Sequence, residues 1–471
     1  MGFSASYRRF TSLGQTAPSP DEVSDRGWSL DEVIYRAPDG GLLDVVHDLD
    51  ALRQRSADEW KTLFDRRAGA HTYPDRSGVW GKREWVLPEL EAEHILSLGE
   101  GNTQLLSLPR LGRALGLSAR GAIAIKQCGH THTGSFKDWG MTVLVSQVAR
   151  MRARGVPIAA VGCASTGDTS AALAAYAALG DIPAVVFLPA DKISLAQLVQ
   201  PIANGALVLS LGTDFDGCMR LIREVVDVLP IYLANSMNSL RIEGQKTVAL
   251  EIAQQRGWQV PDWVVVPGGN LGNVYALYKG FAMMKELGLT DRLPRLAVAQ
   301  AEHASPLARA FGEAKKAGLP LTRLAEVYQA ETARKTLASA IQIGDPVSIH
   351  RAILALAATD GVAASATEAE LAESSAHGDR FGLFTCPHTG VALAVTEKLV
   401  ADGTIAPDAD VVVVSTAHGL KFTDAKVAYH EGRLDSLFAS HPAVHKNPPV
   451  KLAAEAGVVI DTLRARLLSP R

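Results

Sequence analysis

A chain of 471 residues, 47% hydrophobic and 21% charged, is long enough for two or three domains. Its formal net charge of -3 and the lack of a strong basic stripe argue against a nucleic-acid partner. No apolar run is long enough to span a bilayer, so no membrane partner is expected.

Residues 1–97 read as a turn-rich N-terminal extension, with Ala17-Pro18-Ser19-Pro20 and Ala37-Pro38-Asp39-Gly40-Gly41 as breakers. Short helical patterns are expected at 31–35 and 52–64. Met1-Gly2 with Ser6 formally fits a myristoylation motif, a match that short sequences give by chance. Asp21, Glu22 and Asp25 argue against a transit peptide. From Gly121 onward, short β-branched runs alternate with helix-length segments. Strands are expected at 122–126, 158–161, 184–188, 207–209, 231–233, 263–266, 296–299 and 411–414. This alternation predicts an α/β fold of parallel sheets covered on both faces. The alanine-rich stretch 171–178 suits a helix lying close against a sheet. Residues 442–449 read as a loop before a final helix.

The cysteines Cys128, Cys163, Cys218 and Cys386 are widely spaced, with no C-x-x-C pair. That pattern suits reduced thiols and a cytoplasmic setting. Cys128, His130 and His132 alternate in a way that is not a usual zinc spacing, and no metal is expected.

Lys137 is the informative lysine. Ser135 followed by Asp138 reads as a helix N-cap with an acid at the third helical position, and the apolar run from Trp139 to Val148 continues at helical spacing. Lys137 then falls in the first helical turn, where the macrodipole disfavours an ammonium. A neutral amine becomes accessible, as imine formation with an aldehyde requires. A lysine that snorkels to water is the bland alternative. A second signal follows the strand at 263–266: Gly268-Gly269-Asn270-Leu271-Gly272-Asn273 leads into a helical pattern at Val274, Leu277, Tyr278 and Phe281. A glycine loop between strand and helix exposes several backbone N–H groups and suits a phosphate. Close packing is the alternative reason for such glycines. Neither this loop nor residues 129–134 completes a Walker A motif, and the dinucleotide fingerprint is absent. An imine-forming lysine with a separate phosphate cradle points to pyridoxal phosphate.

Three blocks then carry a resemblance: His132-Thr133-Gly134-Ser135-Phe136-Lys137-Asp138, the stretch from Cys163 to Ala172, and Ser415-Thr416-Ala417-His418-Gly419-Leu420-Lys421-Phe422. The glycine loop and the stretch from Asn235 to Thr247 agree as well. From about Ser29 to the end, the chain resembles the threonine synthase family, of the longer type found in plants and some bacteria. The resemblance implies the two parallel-sheet α/β domains of pyridoxal-phosphate fold type II (tryptophan synthase beta-like), with an N-terminal extension. It divides the chain into the extension 1–97, a large cofactor-binding domain of 98–136 and 236–431, a small domain of 137–235 and a C-terminal segment 432–471.

The resemblance also assigns roles. Lys137 holds pyridoxal 5'-phosphate and serves as general base and acid. Gly268, Gly269, Asn270, Leu271, Gly272 and Asn273 take the cofactor phosphate. Thr416 meets the pyridine nitrogen, and Asp168 stands beside the cofactor, where many relatives in the wider fold family carry asparagine. Ser165, Thr166 and Thr169 face the substrate carboxylate, which a helix N-terminus attracts. Asn235, Ser236 and Arg241 match the substrate-phosphate site, with a surface salt bridge as the plain alternative for Arg241. Lys246 is expected to be solvated. The implied reaction is O-phospho-L-homoserine plus water giving L-threonine and phosphate. A β-replacement relative such as cysteate synthase, acting on O-phosphoserine, is the runner-up. A homodimer and an S-adenosylmethionine activator are implied as partners.

Overall fold

The computed structural model describes residues 2–13, 27–165, 167–190, 195–213, 215–439 and 441–468. Two sheets organise it. The larger has six strands in the order β11-β10-β9-β12-β4-β3. These are β3 (Leu105–Ser107), β4 (Ala122–Gln127), β9 (Trp263–Pro267), β10 (Arg295–Ala301), β11 (Val362–Ala366) and β12 (Asp410–Ser415). All pair in parallel except the edge strand β3, which runs antiparallel to β4. The smaller sheet has the order β7-β6-β5-β8, all parallel, from β5 (Ala160–Ala164), β6 (Ala184–Pro189), β7 (Leu207–Leu211) and β8 (Ile231–Leu233). Fully buried strands such as Val264-Val265-Val266 and Val411 to Val414 explain the uninterrupted apolar runs, since helices cover both faces.

The N-terminal segment has sheet structure that its mixed sequence hides. Strands β1 (Ala5–Arg9) and β2 (Leu43–His47) pair antiparallel. Residues 31–35 form turns and not the expected helix, because Ser29 and Glu32 close a local turn instead. Helix Ala57–Ala68 carries a full capping box from Ser56 and Glu59. Its Trp60 and Phe64 pack with Trp85 at ring separations of 5.3 to 5.6 Å. Lys246 is not solvated. It is fully buried, ion-paired with Glu243, and its Nζ lies 2.9 Å from His47 Nε2. These contacts fasten β2 to the main body.

The parallel strands set up the site. In such sheets the loops at the carboxyl ends of the strands face a common crevice. Neighbours β9, β12 and β4 end in the glycine loop, in Thr416 and in the loop to Lys137 respectively. Helix Lys137–Ala153 then crosses to the smaller sheet. It meets helix Leu240–Gln245 at unusually short range. A Cβ on Gly244 would sit 1.7 Å from the Trp139 carbonyl oxygen, and one on Gly140 would sit 2.9 Å from Arg241 Cβ. Only glycine permits this approach, which brings Arg241 beside the first turn of the Lys137 helix. Gly244→Ala is therefore expected to force the two helices apart and to destabilise the protein by about 1–3 kcal/mol. Denaturant unfolding measures this, and an unchanged midpoint would show that the contact is slack.

Candidate active site

Lys137 opens its helix, as the sequence indicates, but the capping differs. The residue before the helix is Phe136, and no side chain caps it. Ser135 Oγ accepts only a long bond from the Lys137 amide (3.4 Å). Asp138 is drawn back instead to Thr131 Oγ1 (3.0 Å), to the Thr133 amide (2.9 Å) and to the Thr133 hydroxyl (2.5 Å). The acid at this position therefore organises the loop before the helix. Its neighbour Gly129 lies against the chain after β12, where a Cβ would be 2.3 Å from Ala417 C and His418 N. Phe136 N donates to Thr416 O (2.9 Å) and His418 N to Gly134 O (2.9 Å). The lysine loop and the Thr416 loop are thus stitched into one unit.

The Lys137 side chain is half-buried, with Nζ 3.8 Å from the centre of the Phe136 ring. Burial first, and then the positive charge of Arg241, bring its ammonium down to about 7, with Asp168 opposing both. Near pH 7 the amine is half neutral, so it is a nucleophile under ordinary conditions.

Arg241 is 4% exposed. Its guanidinium donates to Ala234 O (3.2 Å) and Thr169 Oγ1 (3.5 Å), and its Nε has no partner. Among the described residues no carboxylate pairs with it, which rules out the surface salt bridge. Burial lowers its pKa to about 10. A buried, unpaired guanidinium is costly to maintain and offers its open donors to an anion.

The glycine loop matches a phosphate cradle. Leu271 is 2% exposed and left-handed, with φ of 65°, a conformation that costs a non-glycine residue about 1 kcal/mol. It turns the chain into helix Gly272–Glu286, whose first amides have no carbonyl one turn back. A Cβ on Gly268 would meet Val298 Cγ1 at 2.5 Å, and one on Gly269 would meet Ile341 Cα at 2.9 Å. Asn273 is 7% exposed, and neither its Oδ1 nor its Nδ2 has a partner. Such an orphaned amide at a helix start fits a bound anion. Asn270 is occupied otherwise: its Nδ2 donates to Ser236 Oγ (3.2 Å) and its Oδ1 accepts from Val347 N (3.4 Å). It braces the loop.

On the smaller sheet, Asp168 starts helix Asp168–Leu179 directly after β5. Ser165 Oγ accepts from the Gly167 amide (3.3 Å), and Thr169 is buried. Thr166 lies outside the described residues. Asn235 is fully engaged, accepting from Ala164 N (3.1 Å) and donating to Ala164 O (2.9 Å). It ties the loop after β8 to the end of β5, so its side chain shapes the pocket more than it reaches into it. Thr416 is 5% exposed, with its hydroxyl 4.0 Å from Cys386 Sγ. Lys421, in the motif that follows β12, brings its Nζ within 3.3 Å of Asp168 Oδ1. Only the closeness of two segments more than two hundred residues apart in the chain reveals it.

A lysine with its pKa lowered to about 7, an anion-ready loop and an arginine with no acidic partner among the described residues make a donor set that fits an aldehyde cofactor bearing a phosphate. Sequence comparison agrees. The family model described as pyridoxal-phosphate dependent enzyme matches residues 96–417. A relative named threonine synthase 2, chloroplastic, of Arabidopsis thaliana is 56% identical over 446 residues, spanning 95% of this chain and 84% of its own. The threonine synthase of Methanocaldococcus jannaschii is 36% identical over 405 residues, with 86% and 93% covered. The crystal structure of yeast threonine synthase shares the fold with a TM-score of 0.62 at 20% identity, covering 94% of this chain and 92% of that one. The chain belongs to the pyridoxal-phosphate-dependent enzymes of fold type II and, among them, to the threonine synthase family.

A titration checks the lysine environment. In cofactor-free protein, acylation of Lys137 followed by mass spectrometry is expected to rise with a midpoint near pH 7. A midpoint near 10, as for a free lysine, would contradict the burial described here.

Proposed function

We propose that this chain converts O-phospho-L-homoserine and water into L-threonine and phosphate. The observation that carries the reading is the buried Arg241, which no acid pairs among the described residues and whose charge acts on Lys137. A second anion site, separate from the glycine loop, is what a phosphorylated substrate needs in addition to the cofactor's own phosphate.

Lys137, Asp168, Gly268, Gly269, Asn270, Leu271, Gly272, Asn273 and Thr416 would hold pyridoxal phosphate. When bound, that cofactor withdraws electrons from the substrate carbon bearing the amine, which makes protons on it and on the next carbon removable. Lys137 Nζ is the proton carrier, because an amine poised near pH 7 both accepts and returns a proton. The loop amides of Gly269 to Asn273 and the Asn273 side chain hold the cofactor phosphate. The Thr416 hydroxyl would meet the ring nitrogen. Unlike a carboxylate it does not keep that nitrogen protonated, which restrains stray carbanion chemistry. The loop of Ser165, Thr166 and Thr169, at the start of helix Asp168–Leu179, takes the substrate carboxylate. Arg241 and Ser236 take the substrate phosphate, and Asn235 fixes the loop between them. The guanidinium stabilises negative charge as the phosphate departs, and its burial magnifies the effect.

The division into extension 1–97, large domain 98–136 and 236–431, small domain 137–235 and segment 432–471 is part of this proposal, supported by the two separate sheets. A cytoplasmic setting is included, supported by four buried cysteines that form no disulfide. A homodimer is supported by the exposed apolar residues Val458, Ile460 and Leu463 on helix Ala456–Leu463. The S-adenosylmethionine activator rests on the resemblance of the N-terminal region alone.

Phosphate release from O-phospho-L-homoserine and from O-phospho-L-serine tests the reading, with threonine as the expected product of the first. Preference for the second would favour β-replacement. Arg241→Gln is expected to lower kcat/KM for O-phospho-L-homoserine by about 30-fold or more, the loss of a buried charge-assisted contact of roughly 2–5 kcal/mol. Unaltered kinetics would remove Arg241 from the substrate site.

A further inference from the structure

Lys421 is the cation in this cleft to which the reading above gives no task. It sits on the short turn Gly419–Phe422, which follows β12 of the six-stranded sheet. Its side chain is 9% exposed. Nζ donates to Gln200 Oε1 (2.7 Å) and to Thr133 O (2.9 Å), and it lies 3.3 Å from Asp168 Oδ1. Gln200 Nε2 donates to the same Thr133 carbonyl (3.2 Å), which closes the arrangement. Gln200 belongs to helix Leu195–Ala203 and Asp168 to helix Asp168–Leu179, both packed with the smaller sheet. Space for the lysine stem comes from Gly134, with φ of 81°, where a Cβ would stand 3.1 Å from Lys421 Cδ.

We propose that Lys421 is a positioning residue: carried by the large sheet, it reaches across the cleft and pins the Asp168 carboxylate and the Gln200 amide in place. The geometry fits the chemistry of the site. Asp168 is a carboxylate at the head of a helix beside an amine that must be neutral to act. A carboxylate free to swing toward Lys137 would stabilise the ammonium and silence it. Clamped by Lys421, it spends its charge on a partner instead. The groups that act on Lys137 are Arg241 from helix Leu240–Gln245 and Asp168. Lys421 is not among them, and its own field falls on Asp138 and Asp168. Its influence on Lys137 therefore passes through Asp168.

This inference rests on the proposed role of Lys137, but its test does not need the loaded enzyme. The pH midpoint of Lys137 acylation is measured in cofactor-free wild type, Lys421→Met, Lys421→Arg, Asp168→Asn and the Lys421→Met/Asp168→Asn double variant. Removing the clamp is expected to raise the midpoint by about one pH unit, as a freed neighbouring carboxylate does. Lys421→Arg keeps the wild-type midpoint. In the Asp168→Asn background, Lys421→Met adds no shift. An unchanged midpoint in Lys421→Met overturns the proposal, and so does an equal shift with and without Asp168. A wild-type midpoint near 10 would instead strike at the reading of Lys137 itself, so the two failures are separable. If Lys421→Met does not fold, Lys421→Arg and Asp168→Asn still decide: Asp168→Asn must lower the midpoint, and a Lys421→Arg midpoint raised as far as the full loss of the clamp would contradict it.

Discussion

Burying a guanidinium without a carboxylate is the constraint on which the site depends. Arg241 keeps its charge at 4% exposure and, among the described residues, has only a carbonyl and a hydroxyl as acceptors. Such an arrangement costs on the order of several kcal/mol unless something anionic completes it. The same charge acts on Lys137 and helps burial to neutralise the amine. One residue thus lowers the pKa of the amine and keeps donors open to an anion. Its position follows from Gly140 and Gly244, which let two helices touch backbone to backbone.

The rest of the cleft follows from strand order. Because β9, β12 and β4 are neighbours, the phosphate loop, Thr416 and the lysine loop are adjacent although they are distant in the sequence. Because β5 and β8 are neighbours, Asn235 can bond the Ala164 backbone and shape the mouth of helix Asp168–Leu179. The two sheets meet through side chains that cross between them, and Lys421 is one of these.

The buried strands were readable because parallel sheets covered on both faces need continuous apolar runs, and runs such as 263–266 and 411–414 have no other plausible use. Lys137 was readable as a residue of the first helical turn, although the expected Ser135 cap is absent and Asp138 is used by Thr131 and Thr133. Strands β3 and β11 escaped notice, the first because it is a three-residue edge and the second because Val-Ala-Ala-Ser-Ala lacks β-branched character. The fate of Lys246 was also hidden. Nothing local announces that Glu243 and His47 will enclose it, because His47 arrives from a strand almost two hundred residues earlier. Asn270 and Asn235 show the same limit: their donors are visible in the sequence, but the partners that consume those donors are not.

Borohydride reduction of the purified, cofactor-loaded protein, followed by peptide mapping, is the most direct measurement of the central claim. A reduced pyridoxyl group on Lys137, and on no other lysine, is the expected result. A label on Lys421 or Lys126, or no label at all, would contradict it.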